Sequence, residues 1–179
     1  LGERALLNAF VTAQGEGDFA GMKKVAELIE SGYPKSSQLV SVYSSLARSA
    51  AEQLYVEEAL KSYERASQIA PKQAAQLKAA SAELSAKVGD IDEAIKALAI
   101  AARDSSSDER VFALYVQLLI DHRSPSDCWS ALDSLKDRGS PSIAAARGYL
   151  QVLRKSFDEA EESLQLVIEQ GDNLTQYAQ

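Results

Sequence analysis

The chain has 179 residues, 46% of them hydrophobic and 25% charged, and a net charge of -7, an ordinary composition for one soluble globular domain. The acidic balance argues against a nucleic-acid backbone as partner, because that binding needs clustered Lys and Arg to neutralise phosphates. The longest apolar run, Val111 to Ile120, is interrupted by Gln117 and reaches about half the ~20 residues of a bilayer span, so no transmembrane segment is expected.

Four Pro and nine Gly stand against many Ala, Leu, Glu, Gln and Lys, side chains that lose little freedom in a helix. Strand-type alternation is nearly absent, so the fold expected is all-α. A single cysteine, Cys128, rules out an internal disulfide and leaves the compartment open, cytoplasmic or exported. The chain opens on Leu1 rather than Met, as expected of a trimmed or processed form from which any signal peptide has been removed.

Along the chain one short pattern recurs five times: a turn, an acidic or polar pair, then a small residue opening an apolar helix. The copies are Gly17 to Met22, Leu54 to Ala59, Gly89 to Ala94, Ser126 to Ala131 and Lys155 to Ala160. Met22 to Ala59 is 37 residues, Ala59 to Ala94 is 35, Ala94 to Ala131 is 37 and Ala131 to Ala160 is 29. Apolar residues follow four and seven positions on, the spacing of one helix face: Tyr63 and Ala66, Leu98 and Ala101, Leu164 and Val167. Gly32-Tyr33-Pro34 and Pro71 read as helix stops. Linkers are short, at Pro71-Lys72, Asp104 to Asp108 and Arg138 to Ser142. Asp108 or Ser107, and Ser140 before Pro141, are candidate helix caps.

The preceding segments supply partner helices. Tyr43, Leu46, Ala47 and Ala50 stand before Ala59, and Tyr115 and Leu118 before Ala131, at offsets where the tetratricopeptide pattern places its aromatic and small residues; Ala82 and Gly148 fall twelve before Ala94 and Ala160. In this register the sequence resembles the tetratricopeptide-repeat family across roughly residues 4 to 172, with pentatricopeptide-like repeats as a second relative. The resemblance implies one domain over 1–179, an α-solenoid of about five antiparallel helix-turn-helix repeats (roughly 4–34, 36–71, 73–106, 108–139 and 141–172) wound into a right-handed superhelix. Lys78, Ser81, Ala82 and Ser85 depart from the family's preference for large apolar residues in a first helix.

Chemistry is scarce. His122 and Cys128, six residues apart across Ser124-Pro125, are the only His and Cys, too few for the roughly four ligands of a zinc site. Gly15-Glu16-Gly17-Asp18 lacks the endings of a phosphate or calcium loop, and Gly139 to Ser142 lacks nucleophile-elbow spacing. The pairs Glu57-Glu58, Asp92-Glu93 and Asp158-Glu159 recur at the first turn of a helix, where the helix dipole favours negative charge. No catalytic residue, metal or cofactor is expected, and the chain reads as a non-enzyme. Trp129 reads as a core or inter-repeat anchor.

The resemblance implies a partner protein or peptide on the face lined by first helices. Carried across the register, that groove comprises Ser41, Ser44 and Arg48, then Gln76, Ala79, Glu83 and Lys87, then Val116, Ile120 and Arg123, and finally Tyr149. The family's carboxylate clamp of paired Lys and Asn is not reproduced, which argues against a chaperone tail. Arg48, Lys87 and Arg123 are candidates to meet an acidic partner. The expected function is a protein-protein interaction scaffold within a larger assembly; the alternatives are an accessory protein of envelope export, polysaccharide secretion or pilus assembly, and an RNA-binding pentatricopeptide-like protein.

Overall fold

The computed structural model describes residues 2–104, 108–135 and 139–174, and among them the chain is helical without a strand. The helices are α1 (Glu3–Gly15), α2 (Phe19–Gly32), α3 (Leu39–Glu52), α4 (Val56–Ile69), α5 (Ala74–Lys87), α6 (Ile91–Asp104), α7 (Glu109–His122), α8 (Pro125–Asp133), α9 (Pro141–Leu153) and α10 (Phe157–Leu174), with a 3-10 turn at Pro71–Gln73. Along the chain they follow one another two by two, with two- or three-residue turns inside each couple, the helix-turn-helix order expected from the sequence. Contacts divide the chain into two compact units, 1–88 and 89–179. Helices α1 to α5 build the first and α6 to α10 the second.

Local chemistry starts and stops these helices where the sequence indicated. Asp18, Asp108 and Ser140 cap α2, α7 and α9, accepting from the backbone N–H of Gly21 at 2.9 Å, Arg110 at 3.2 Å and Ile143 at 3.3 Å, each relieving one of the donors a helix start leaves unpaired. The acidic pairs lie in the first turns of α4, α6 and α10. The linker residues Ser105 to Ser107 and Arg138 lie outside the described residues.

Four of the five turns share one conformation. Gly17, Leu54, Gly89 and Lys155 have φ of 69°, 64°, 90° and 62°, each five residues before the small residue of its second helix. This left-handed residue lets the next N–H reach back to the helix just finished: Asp18 to Ala13 O at 2.9 Å, Tyr55 to Ala50 O at 2.8 Å and Ser156 to Gln151 O at 3.0 Å, the closing bond of a Schellman turn. Leucine and lysine adopt this region at a cost of about 1–2 kcal/mol that glycine avoids.

The fourth repeat is built differently, and this corrects the sequence register. Arg123 and Ser124 are both extended (φ/ψ -125/157 and -66/153), giving a two-residue turn, and α8 begins at Pro125, whose fixed φ suits a first helical position. The fourth residue of α8 is Cys128, as Met22, Ala59, Ala94 and Ala160 are of theirs. Cys128 is 1% exposed, whereas Ala131 is only half-buried. Cys128, not Ala131, therefore takes the small-residue place. The last intervals become 34 from Ala94 to Cys128 and 32 from Cys128 to Ala160, and the first-helix equivalents of Tyr43 and Leu46 move to Phe112 and Tyr115, 1% and 4% exposed.

In the corrected register the packing is uniform. The small-residue position and the positions twelve and nine before it are buried in all five repeats: Met22, Phe10 and Ala13; Ala59, Ala47 and Ala50; Ala94, Ala82 and Ser85; Cys128, Val116 and Leu119; Ala160, Gly148 and Gln151. Small side chains predominate at these positions, which leaves room for helix axes to approach closely. At Gly148 a side chain has no room, since a Cβ there would stand 2.7 Å from Leu164 Cγ. The first unit centres on Leu6, Phe10, Met22, Ile29, Leu39, Val42 and Leu46, and the second on Leu98, Val111, Phe112, Leu132 and Leu150. Each fully buried Leu, Ile or Phe side chain contributes about 1.5–3 kcal/mol before entropy is counted.

Each unit also carries the same carboxylate latch. Glu3, first residue of α1, accepts from Ser36 Oγ just before α3. Glu109, first residue of α7, accepts from Ser140 Oγ at 2.7 Å and Ser142 N at 2.8 Å at the start of α9.

Candidate partner-binding surface

The first helices place the expected groove residues in two sets, one per unit. In the first, Ser41 and Arg48 of α3 and Gln76 and Lys87 of α5 are exposed, Ser44 and Glu83 are half-buried, and Ala79 is buried. Arg48 and Glu83 meet electrostatically at Tyr63 of α4. Burial pushes that phenol up, Arg48 opposes the shift and Glu83 adds to it.

In the second unit the expected residues converge. Val116 and Ile120 of α7 and Tyr149 of α9 line one concavity of about 280 Å³ with Ala113, Gln117, Ser142, Ala145 and Ala146. Each helix contributes residues at i, i+3, i+4 and i+7, so two parallel stripes bound the concavity. Val116, 8% exposed, lies in its floor; Ile120 and Tyr149, 36% and 49% exposed, stand at its surface. No charged side chain lines it. Apolar side chains fit such a lining, with the Gln117 amide and the Ser142 and Tyr149 hydroxyls free to orient a bound backbone. Arg123, expected at the groove for an acidic partner, donates from Nη2 to Asp92 Oδ1 of α6. Its charge is already answered from within the chain.

A feature absent from the sequence reading is a cleft of about 130 Å³ among α2, α3 and α4, floored by Phe19, Tyr43 and Leu46 and edged by Lys23, Glu27, Glu58, Lys61 and Ser62. Beside it, Tyr43 Oη donates to Glu30 Oε2 at 2.5 Å and Arg65 Nε donates to Glu30 Oε1 at 2.6 Å, tying α2, α3 and α4 together. Burial alone would raise the Glu30 carboxyl, but the hydrogen bonds from Tyr43 and Arg65 and the Arg65 charge outweigh it and hold the group below the usual carboxylate range. A group depressed in this way stabilises the fold above its unfolded titration and loses that contribution as pH falls through its folded one. Glu30→Gln is therefore expected to cost about 1 kcal/mol near neutral pH, since Arg65 is half exposed and solvent screens the pair. Urea unfolding of the two proteins at about pH 7 and about pH 3 checks this, with the curves converging in acid.

His122, Cys128 and Trp129, singled out in the sequence, lie apart from both concavities. His122 is exposed, while Cys128 is buried and donates from Sγ to Leu119 O at 3.1 Å. Burial, with Asp127 adding, pushes the thiol up, away from the thiolate that nucleophilic chemistry needs. Trp129 is half-buried with the Arg154 guanidinium 4.5 Å above its ring, joining α8 to the turn between α9 and α10 through a cation–π contact. Among the described residues no helix is long and apolar enough to cross a membrane.

No family model and no curated protein matches the chain. It is similar to the solved structures of MamA (14% identity over 98% of this chain and 94% of that one, TM-score 0.56), of Pseudomonas aeruginosa PilF (16%, 93% and 75%, TM-score 0.55) and of BtubC from P. vanneervenii (15%, 93% and 78%, TM-score 0.52). At these identities the likeness is one of fold, and the fold is a tetratricopeptide-like helical repeat.

Proposed function

We propose that the chain is a protein-interaction scaffold that receives an extended or helical segment of a partner protein on the surface of its first helices, without catalysing a reaction. The observation that carries this reading is the concavity between α7 and α9, where Val116, Ile120 and Tyr149 meet in a lining free of charged side chains. Its two stripes match the way a groove between helices takes anchor side chains from a bound segment. Repeat folds offer such extended surfaces, and the step from fold to function here is by analogy.

The test is selection of peptides from a random displayed library on the 179-residue chain, followed by titration of the hits. Tyr149→Asp and Ile120→Asp, both at surface positions, are each expected to weaken binding at least tenfold, about 1.4 kcal/mol or more. Hits that ignore both substitutions, or a chain that retains single-stranded RNA and no peptide, would sink the proposal.

A further inference from the structure

One flank of α10, beside the line of the buried Ala160, carries an apolar stripe that its counterparts elsewhere in the chain do not expose. Phe157, Leu164 and Ile168 are 62%, 37% and 64% exposed. They stand three before, four after and eight after Ala160, and so lie on one side of the helix. In α6 the residues at those places relative to Ala94 are Ile91, half-buried, and Leu98 and Ala102, both 0% exposed, and α7 packs against that helix. In α2 the equivalents Phe19, Ala26 and Glu30 are half-buried, fully buried and half-buried. The repeat thus states what covers this stripe where it is covered: another helix.

Two features of the α9–α10 hairpin define that helix further. Leu164 packs over Gly148, and Val152, one turn along α9 from Gly148, is 43% exposed, so exposed apolar surface is present on both helices of the hairpin. The charge along α10 itself has one sign, with Arg154 and Lys155 lying in the turn before it. Helix α10 contains Asp158, Glu159, Glu161, Glu162, Glu169 and Asp172 and neither Lys nor Arg, whereas α6 mixes Asp92 and Glu93 with Lys96 and Arg103. Glu161 lies on the stripe's margin, four residues after Phe157 and three before Leu164, and is exposed, as are Asp158, Glu162 and Glu169.

We infer that this face docks an amphipathic helix of a partner protein, with an apolar stripe seated on Phe157, Leu164 and Ile168 and Lys or Arg along its margins. This second interface is separate from the concavity between α7 and α9. Burial of the stripe supplies affinity, and the acidic margin excludes helices edged with Glu or Asp.

The test uses two synthetic peptides of about 18 residues, long enough for five helical turns, with the same leucine stripe and margins of Lys in one and Glu in the other. Both are titrated by fluorescence anisotropy into the 179-residue chain. The Lys-margined peptide is expected to bind, more weakly at high salt, and the Glu-margined one not to bind. Ile168→Asp and Phe157→Ser, at positions more than half exposed, should each cost at least tenfold in affinity with helicity by circular dichroism unchanged. The double reversal Glu161→Lys/Glu169→Lys, which touches no core residue, should weaken the Lys-margined peptide and admit the other. Tyr149→Asp should leave this binding intact, which separates the outcome from that of the groove. Failure of both peptides to bind, equal binding of the two, or indifference to Ile168→Asp overturns the inference. So does sedimentation showing a dimer of the chain that Ile168→Asp dissolves, since a second copy would then be the occupant.

Discussion

Phe112→Ala is expected to lower the stability of the unit formed by residues 89–179 by about 3–5 kcal/mol, the range for truncating a buried aromatic ring. Phe112 is 1% exposed and is among the largest fully buried side chains. It sits sixteen residues before Cys128, the place Tyr43 holds before Ala59, where the aromatic ring wedges its first helix against the neighbouring helices. Removing it leaves a void that small neighbours cannot fill, because helix backbones already in close contact have little room to move inward. Urea unfolding followed by circular dichroism measures the loss as a lower midpoint with an unchanged slope. Leu54→Ala, at a position 82% exposed, is the control and should change stability by about 0.5 kcal/mol or less. A loss below about 1 kcal/mol for Phe112→Ala would mean that the ring does not occupy the core position assigned to it.

The second large effect separates the two registers of the fourth repeat. Cys128→Asp would bury a carboxylate facing the Leu119 carbonyl, with Asp127 adjacent and the nearby Arg123 guanidinium already bonded to Asp92, and should cost about 3–5 kcal/mol. Ala131→Asp, half-buried in the same helix, should cost about 1 kcal/mol or less. The sequence register predicts the reverse order, because it places Ala131 at the tight crossing. Thermal unfolding of the two variants side by side decides between them, and equal losses would remove the distinction drawn from burial.

Much of the fold is legible because the physics that shapes it is local. Acidic first turns, glycine at left-handed turns, Ser and Asp caps and prolines after helix ends are each read from a few neighbouring residues, and they locate the helix pairs. The fourth repeat resists because its turn is two residues long, so a pattern tuned to three-residue turns slides past Cys128 to the next alanine. A buried thiol packs like a small apolar group, but composition does not say which small residue faces the crossing.

The surface was less legible for a related reason. Tyr149 follows from register alone; Val116 and Ile120 were placed by counting back from Ala131, and counting from Cys128 passes their groove places to Ala113 and Gln117, which line the same concavity. That Arg123 is held by Asp92, 31 residues earlier, depends on a side-chain pairing between helices that no local pattern encodes. The cleft beside Tyr43 draws on three helices, and its signal in the sequence was only an aromatic residue, Phe19, opening α2. The stripe on α10 is invisible in sequence, because Phe157, Leu164 and Ile168 have the spacing of an ordinary core face; only their exposure distinguishes them.

The side-chain links between repeats carry a kinetic consequence. Ser36 to Glu3, Arg65 to Glu30, Gln53 to Gly17, Arg123 to Asp92 and Ser142 to Glu109 close sequence gaps of 33, 35, 36, 31 and 33 residues. Each link reaches about one repeat along the chain. Within each unit the loop-closure entropy of adding the next helices is thus nearly the same at each of these links and does not grow with the length already folded. Low contact order of this kind favours rapid folding from more than one starting pair, with structure spreading outward to its neighbours like a zipper rather than waiting for distant segments to meet.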